Sequence, residues 1–209
     1  RMPAQEMARR FQVTPRARGL LRGEGGRAQG CLLLAGHQFN WEWFFWVLQL
    51  QAERPVVAMY KESKSALADD LINEARTQLG SDLAPTGRGG RKALERLAQG
   101  SHILMAADQH AVEVDKAIWV PFMNRQAAFQ GAMERFAQAG RKPVVLITSH
   151  SQGKGKYLLD AELLVEDARS LPPGELTWRY AQALEASIRA QPHNYLWSHK
   201  RWKTPYETH

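Results

Sequence analysis

The chain has 209 residues, of which 44% are hydrophobic, and it carries a formal net charge of +7. A chain of that length suits one domain and buries roughly 70% of its unfolded surface, which excludes disorder as the default. The single cysteine, Cys31, excludes an intrachain disulfide, and no apolar run reaches the roughly 18 to 20 residues of a membrane span.

The first 28 residues are polar and rich in Arg and Gly, and they predict a short helix over 4–11 followed by a loop. Residues 30–35 are apolar on both sides and bounded by glycines, which predicts a central parallel strand with Cys31 as buried filler. A helix dense in Trp and Phe follows over 40–51 and is broken by Pro55. Residues 56–60 predict a second buried strand. Over 65–79, Leu67, Leu71, Ala75 and Leu79 recur every four residues, predicting an amphipathic helix with Ser65 as N-cap and Gly80 at its end.

A short strand near 82–84 and the loop Gly87-Arg88-Gly89-Gly90 lead into a helix over 92–98 and a buried strand over 102–107. Residues 127–139 predict a helix with Phe129, Met133, Phe136 and Ala137 on one face. Strands over 143–148 and 157–165 flank the turn Gly153-Lys154-Gly155. The last helix, over 175–190, has Leu176, Tyr180, Leu184 and Ile188 in register. Strands alternating with helices predict an α/β fold, a mostly parallel central sheet flanked by helices.

The segment richest in chemistry is Gly36-His37-Gln38-Phe39-Asn40-Trp41-Glu42. His37 stands just past a buried strand, and in open α/β sheets sites form at the carboxyl ends of strands. Glu42 follows five residues later; on a continuous helix that spacing turns a side chain by roughly 140°, so the two would not share a face. They meet if His37 lies in the strand-to-helix turn and Glu42 in the first helical turn. The carboxylate then holds one ring nitrogen and leaves the other as a base. The bland alternative is a loop histidine beside an unrelated surface glutamate.

This His-x4-Glu segment resembles the box of the lysophospholipid-acyltransferase-like superfamily. More narrowly, the chain resembles the bacterial lipid A biosynthesis late acyltransferases, the lauroyl and myristoyl transferases. Further matches follow in order: Val57-Ala58-Met59-Tyr60-Lys61 with Lys64, Arg76 with Gly80, Leu94 and Leu97 with Gly100, Leu104 to Gln109, and Val120-Pro121-Phe122. The closing run Leu196-Trp197-Ser198-His199-Lys200-Arg201-Trp202-Lys203 also matches. Lys61 stands where the family usually has Arg, which forfeits bidentate anion contact, and His110 replaces a common second Asp.

The resemblance implies a glycerolipid-acyltransferase-like domain spanning residues 1–209, with no cofactor. It implies transfer of an acyl chain from an acyl carrier protein or coenzyme A thioester to a hydroxyl of a lipid A precursor. His37 would be the general base and Glu42 would orient it. Arg76, Asp108 and Gln109 would line the site; Arg76 would hold a phosphate or the donor, or serve only as a helix-end cation, and Asp108 would otherwise cap a turn. Lys61, Lys64 and Arg125, with Arg88 and Arg91, are candidates for lipid phosphates or plain solvated charges. The cluster Phe39, Trp41, Trp43, Phe44, Phe45 and Trp46 is core packing, or one side of it lines an acyl groove or meets lipid.

The implied location is the cytoplasmic face of the bacterial inner membrane, with peripheral contact through aromatics and scattered Lys and Arg. Because the chain starts at Arg1 and holds no span, an N-terminal anchor is expected to precede it. A related enzyme acting on a glycerophospholipid, a phosphatidylinositol mannoside or an aminolipid remains open. A rival from another class is a basic nucleic-acid-binding domain using Trp197 to Trp202, but no nucleic-acid motif is present and the basic residues are scattered.

Overall fold

Four consecutive apolar side chains, Leu32, Leu33, Leu34 and Ala35, are all buried, as a strand covered on both faces requires. The computed structural model describes residues 3–23, 30–63, 65–77, 80 and 82–206. Along the chain run α1 (Ala4–Arg10), β1 (Phe11–Val13), α2 (Pro15–Arg22), β2 (Leu32–Ala35), α3 (Trp41–Gln51), β3 (Val56–Tyr60), α4 (Ala66–Thr77) and β4 (Asp82–Pro85). Then come α5 (Gly90–Ala98), β5 (His102–Ala106), β6 (Ala117–Phe122), β7 (Arg125–Gln130), α6 (Gly131–Gly140), β8 (Val144–Gly153), β9 (Lys156–Val165) and α7 (Glu175–Ala190).

Seven strands form one sheet in the order β1-β9-β8-β2-β5-β3-β4. Every pairing in it is parallel except β8 with β9. The fold is therefore α/β with a mostly parallel sheet. Side chains alternate across it, as the two-residue strand period demands. Leu32, Leu34, Val57, Ile103, Val144 and Leu146 pack with α5, α6 and α7 through Leu97, Met133, Tyr180 and Leu184. Leu33, Ala35, Val56, Leu104, Val145 and Ile147 pack with α1, α2 and α3 through Met7, Leu21, Phe44 and Leu48.

Two neighbouring parallel strands of this sheet send the chain to opposite faces. After β2 the chain enters α3 on one layer, and after β5 it goes by the β6–β7 hairpin to α6 on the other. In open α/β sheets such a divergence marks the crevice, at the carboxyl ends of the strands, where ligands bind.

Three regions differ from the sequence expectation. Residues 11–22 form β1 and α2 rather than a loop. Thr14 caps α2 by accepting from the Ala17 amide at 3.1 Å, Pro15 takes the first turn, and Gly23 closes it at φ 73°. Residues 127–130 belong to β7, not to a helix. Met123 and Asn124, at φ 52° and 63°, make the two-residue turn that pairs Phe122 with Arg125. The helix α6 begins only at Gly131, where a Cβ would meet the Lys116 carbonyl at 2.4 Å.

The third difference is α4. An apolar stripe normally faces the core, yet Leu67, Leu71 and Ile72 are 71%, 60% and 42% exposed. The predicted last residue of the stripe, Leu79, lies outside the described residues. The inward side of α4 is polar: Asn73 donates to Tyr60 and Asp69, and Arg76 reaches Glu42. Among the described residues no helix is long and apolar enough to cross a membrane.

Candidate functional site

β2 ends at Ala35, and the chain then passes Gly36, where a Cβ would meet Leu184 of α7 at 2.7 Å. A glycine here lets the strand exit press against the helix, and this sets where His37 begins. On the neighbouring strand, the Ala107 amide donates to the Ala35 carbonyl at 3.0 Å, which continues the ladder one step past β5. His37 and Asp108 are the next residues on each side.

They meet directly. The His37 amide donates to Asp108 Oδ2 at 2.9 Å, and His37 Nδ1 lies 2.6 Å from Oδ1. Their side chains are 15% and 3% exposed. Burial opposes ionisation of Asp108. The His37 ring, its charge and the backbone amides outweigh that, so the carboxyl is held below its ordinary range. Tyr180 and Tyr195 stand nearby; burial first, then the Asp108 charge, pushes both phenols up. Both therefore stay protonated, and Tyr180 donates to the Ala35 carbonyl at 2.8 Å.

With Nδ1 turned to Asp108, the Nε2 atom faces away from the carboxylate. The Gln109 amide nitrogen stands 3.4 Å from it, and the Trp41 ring meets the imidazole edge-on at 5.2 Å. Phe39, two residues on, has φ 45°, a left-handed conformation that costs of order 1–3 kcal/mol. Its amide is held by the Asn194 carbonyl at 2.7 Å.

Glu42 is elsewhere. Arg76 donates to it from Nε at 2.9 Å and from a terminal nitrogen at 2.5 Å, and Trp41 Nε1 adds a third bond at 3.1 Å. The expected contact between Glu42 and the His37 ring is thus replaced by one from Asp108. The reason is helical: on the first turn of α3, Glu42 is rotated toward α4. The Glu42 bond, opposed by burial, raises the Arg76 pKa further above its already high value.

The other expected residues fall in different places. Lys61 is exposed just past β3. Arg125 is exposed on the hairpin, its guanidinium 5.5 Å from the centre of the Trp202 ring. Arg88 pairs with Glu62 and Arg91 with Glu95, both on the surface. Lys64 lies outside the described residues. Of the aromatic cluster, Phe44 and Phe45 are core, whereas Trp41, Trp43 and Trp46 are half-buried.

Two shallow concavities of about 410 and 400 Å³ lie on the β9–α7 surface and beside β1; neither contains His37, Asp108 or Arg76. Among the described residues no group of three His, Cys, Asp or Glu side chains could hold a metal ion. Sequence reasoning missed His199, Asn194 and Tyr195 as neighbours of the site. They lie in or beside the closing Trp-rich run, which carried a family resemblance but no local sign of where it would pack.

A family profile described as bacterial lipid A biosynthesis acyltransferase matches residues 2–204. No curated protein matches the chain.

Proposed function

The chain belongs to the bacterial lipid A biosynthesis acyltransferase family, and on that premise we propose that His37 is its general base and Asp108 the carboxylate that orients it. The supporting observation is the 2.6 Å contact between His37 Nδ1 and Asp108 just past the carboxyl ends of β2 and β5. With the Nδ1–H donating to the Asp108 carboxylate, Nε2 carries the lone pair that a substrate hydroxyl would meet.

His37 Nε2 takes the proton of the acceptor hydroxyl as its oxygen attacks the thioester carbonyl carbon. The tetrahedral intermediate collapses, the carbon–sulfur bond breaks, and the thiolate leaves with the proton from His37. The products are an ester and a thiol. Base catalysis of this kind contributes about a hundred- to ten-thousandfold.

In this reading the Glu42–Arg76 pair braces the acceptor side of the crevice. Glu42 fixes the guanidinium, and Arg76 presents positive charge to a phosphate of a lipid A precursor. The donor is an acyl carrier protein or acyl coenzyme A, drawn by the net charge of +7. The acceptor is reached at a lipid surface, at the cytoplasmic face of the inner membrane. The outward Leu67, Leu71 and Ile72 support this, because α4 turns its polar side inward to the site.

The test is mass spectrometry of lipids from cells carrying the protein, the His37→Ala variant or neither. One added acyl chain on a lipid A precursor with the protein alone is expected. An identical gain with a folded His37→Ala variant removes His37 as the base.

A further inference from the structure

The segment after α7 is bonded to both loops of the proposed dyad. On the His37 side, Phe39 donates to the Asn194 carbonyl at 2.7 Å, Leu196 donates to the His37 carbonyl at 3.1 Å, and Gln38 forms an antiparallel bridge with Tyr195. On the Asp108 side, the His110 amide donates to His199 Nε2 at 2.9 Å. His110 Nδ1 donates to the Arg201 carbonyl at 3.2 Å, and its Nε2 meets Thr204 Oγ1 at 3.0 Å.

The segment is itself anchored at two points. Asn194 donates to the Ser149 carbonyl on β8 at 2.5 Å. Arg201 is buried, donates to the Ala128 carbonyl on β7 at 2.6 Å, and lies 4.0 Å from the centre of the Phe129 ring. The two dyad loops leave their strands toward opposite faces of the sheet. Past the Ala107–Ala35 bond, the closing segment ties them together: Tyr195 stands against the Asp108 carboxylate, and His199 holds the backbone of its loop two residues on.

We propose that His199 is a positioning residue for acyl transfer: its unprotonated Nε2 holds the His110 amide, and thereby keeps the Asp108 carboxylate against His37 Nδ1. The proposal rests on the His37–Asp108 reading above. An acceptor nitrogen facing an amide N–H must carry a lone pair, so the His199 proton sits on Nδ1. The charged and titratable groups around His199 are Asp108, Arg201, His37 and His110. Burial pushes the His199 pKa down; Asp108 opposes this, and the Arg201, His37 and His110 charges add to it. A neutral ring at neutral pH follows. Protonation would place an N–H against the His110 N–H, break the bond and loosen the Asp108 loop.

The test compares the full chain with His199→Leu, which removes the acceptor, and His199→Gln, whose amide oxygen reaches about where Nε2 stood without titrating. kcat and KM are measured against pH, and the His37 Nδ1 proton is followed by NMR. His199→Leu should lower kcat by about ten- to a hundredfold, as a misplacement near 1 Å does, with KM little changed and the His37 proton signal broadened or lost. His199→Gln should recover most of kcat, and the acid limb of its profile should lose one proton.

Unchanged kcat and an intact proton signal in folded His199→Leu would overturn the proposal. So would equal losses in both variants, which would mark His199 as packing alone. Should His199→Leu fail to fold, the pH profile of His199→Gln decides: an acid limb identical to that of the unaltered chain overturns it. His37→Ala run beside them separates the two readings. Its activity tests the base, whereas a silent His199 series with an inactive His37→Ala defeats only the positioning role.

Discussion

The Asp108 carboxylate lies 2.6 Å from His37 Nδ1, although 71 positions separate the two residues. Glu42, five positions from His37, is bound by Arg76 instead. The two acids therefore make opposite demands on mutagenesis. Asp108→Asn keeps the shape but offers an amide to Nδ1, which favours the wrong tautomer. In a histidine held by a buried acid, that change costs about ten-thousandfold in kcat. Glu42→Gln should act mainly on KM for the acceptor. Turnover by Asp108→Asn within tenfold of the parent, in a thioester assay, would show that Asp108 does not orient the base.

Two glycines test where structure ends and catalysis begins. A Cβ at Gly30 would sit 2.0 Å from the Ser101 carbonyl, which is backbone and cannot yield. Gly30→Ala is expected to prevent folding. A Cβ at Gly36 would meet the Leu184 methyl at 2.7 Å, the far end of a flexible side chain. Gly36→Ala is expected to fold, lose about 1–3 kcal/mol in denaturant titration, and lose kcat because His37 follows it directly. Full activity in Gly36→Ala would uncouple that close approach from the site.

His102 gives a pH signature that belongs to the fold. It is buried, accepts from the Cys31 amide at 3.1 Å and donates to the Leu21 carbonyl at 2.9 Å. Burial lowers its pKa from 6.5; the Leu21 bond opposes this and the Arg54 charge adds to it. The unfolded chain thus binds a proton near pH 6.5 that the folded chain refuses until lower pH. The stability contribution is complete above pH 6.5 and is lost as pH falls toward the depressed folded value. The slope is at most about 1.4 kcal/mol per pH unit for this one group. Urea titrations should find a shallower acid slope in His102→Gln than in the parent, and parallel curves would exclude His102 as a source.

Leu67 and Leu71 test the proposed contact with a lipid surface. Both are more than half exposed, so Leu67→Ser with Leu71→Ser should change stability by no more than about 0.5 kcal/mol each. Flotation with anionic liposomes at low salt should fall several-fold. Equal flotation of the double variant and the parent would place the lipid contact elsewhere.

The sequence by itself determined the layered α/β architecture. β2, β3 and β5 are short apolar runs between breakers, and such runs are stable only with both faces covered. The stripe Leu176, Tyr180, Leu184 and Ile188 marked α7, and all four are buried. The position of His37 past a strand was equally legible, because it depends on the neighbouring residues alone. Local pattern failed where two periods fit one run: Ala127, Ala128 and Phe129 suit helix or strand, and pairing with β6 decided for strand. It also failed at α4, whose stripe is a property of the helix, whereas the direction it faces is a property of its neighbours. The partner of His37 was beyond local reading for the same reason. Glu42 was near in sequence, but the helix turned it toward Arg76, and only the parallel pairing of β2 with β5 carried Asp108 across to the ring.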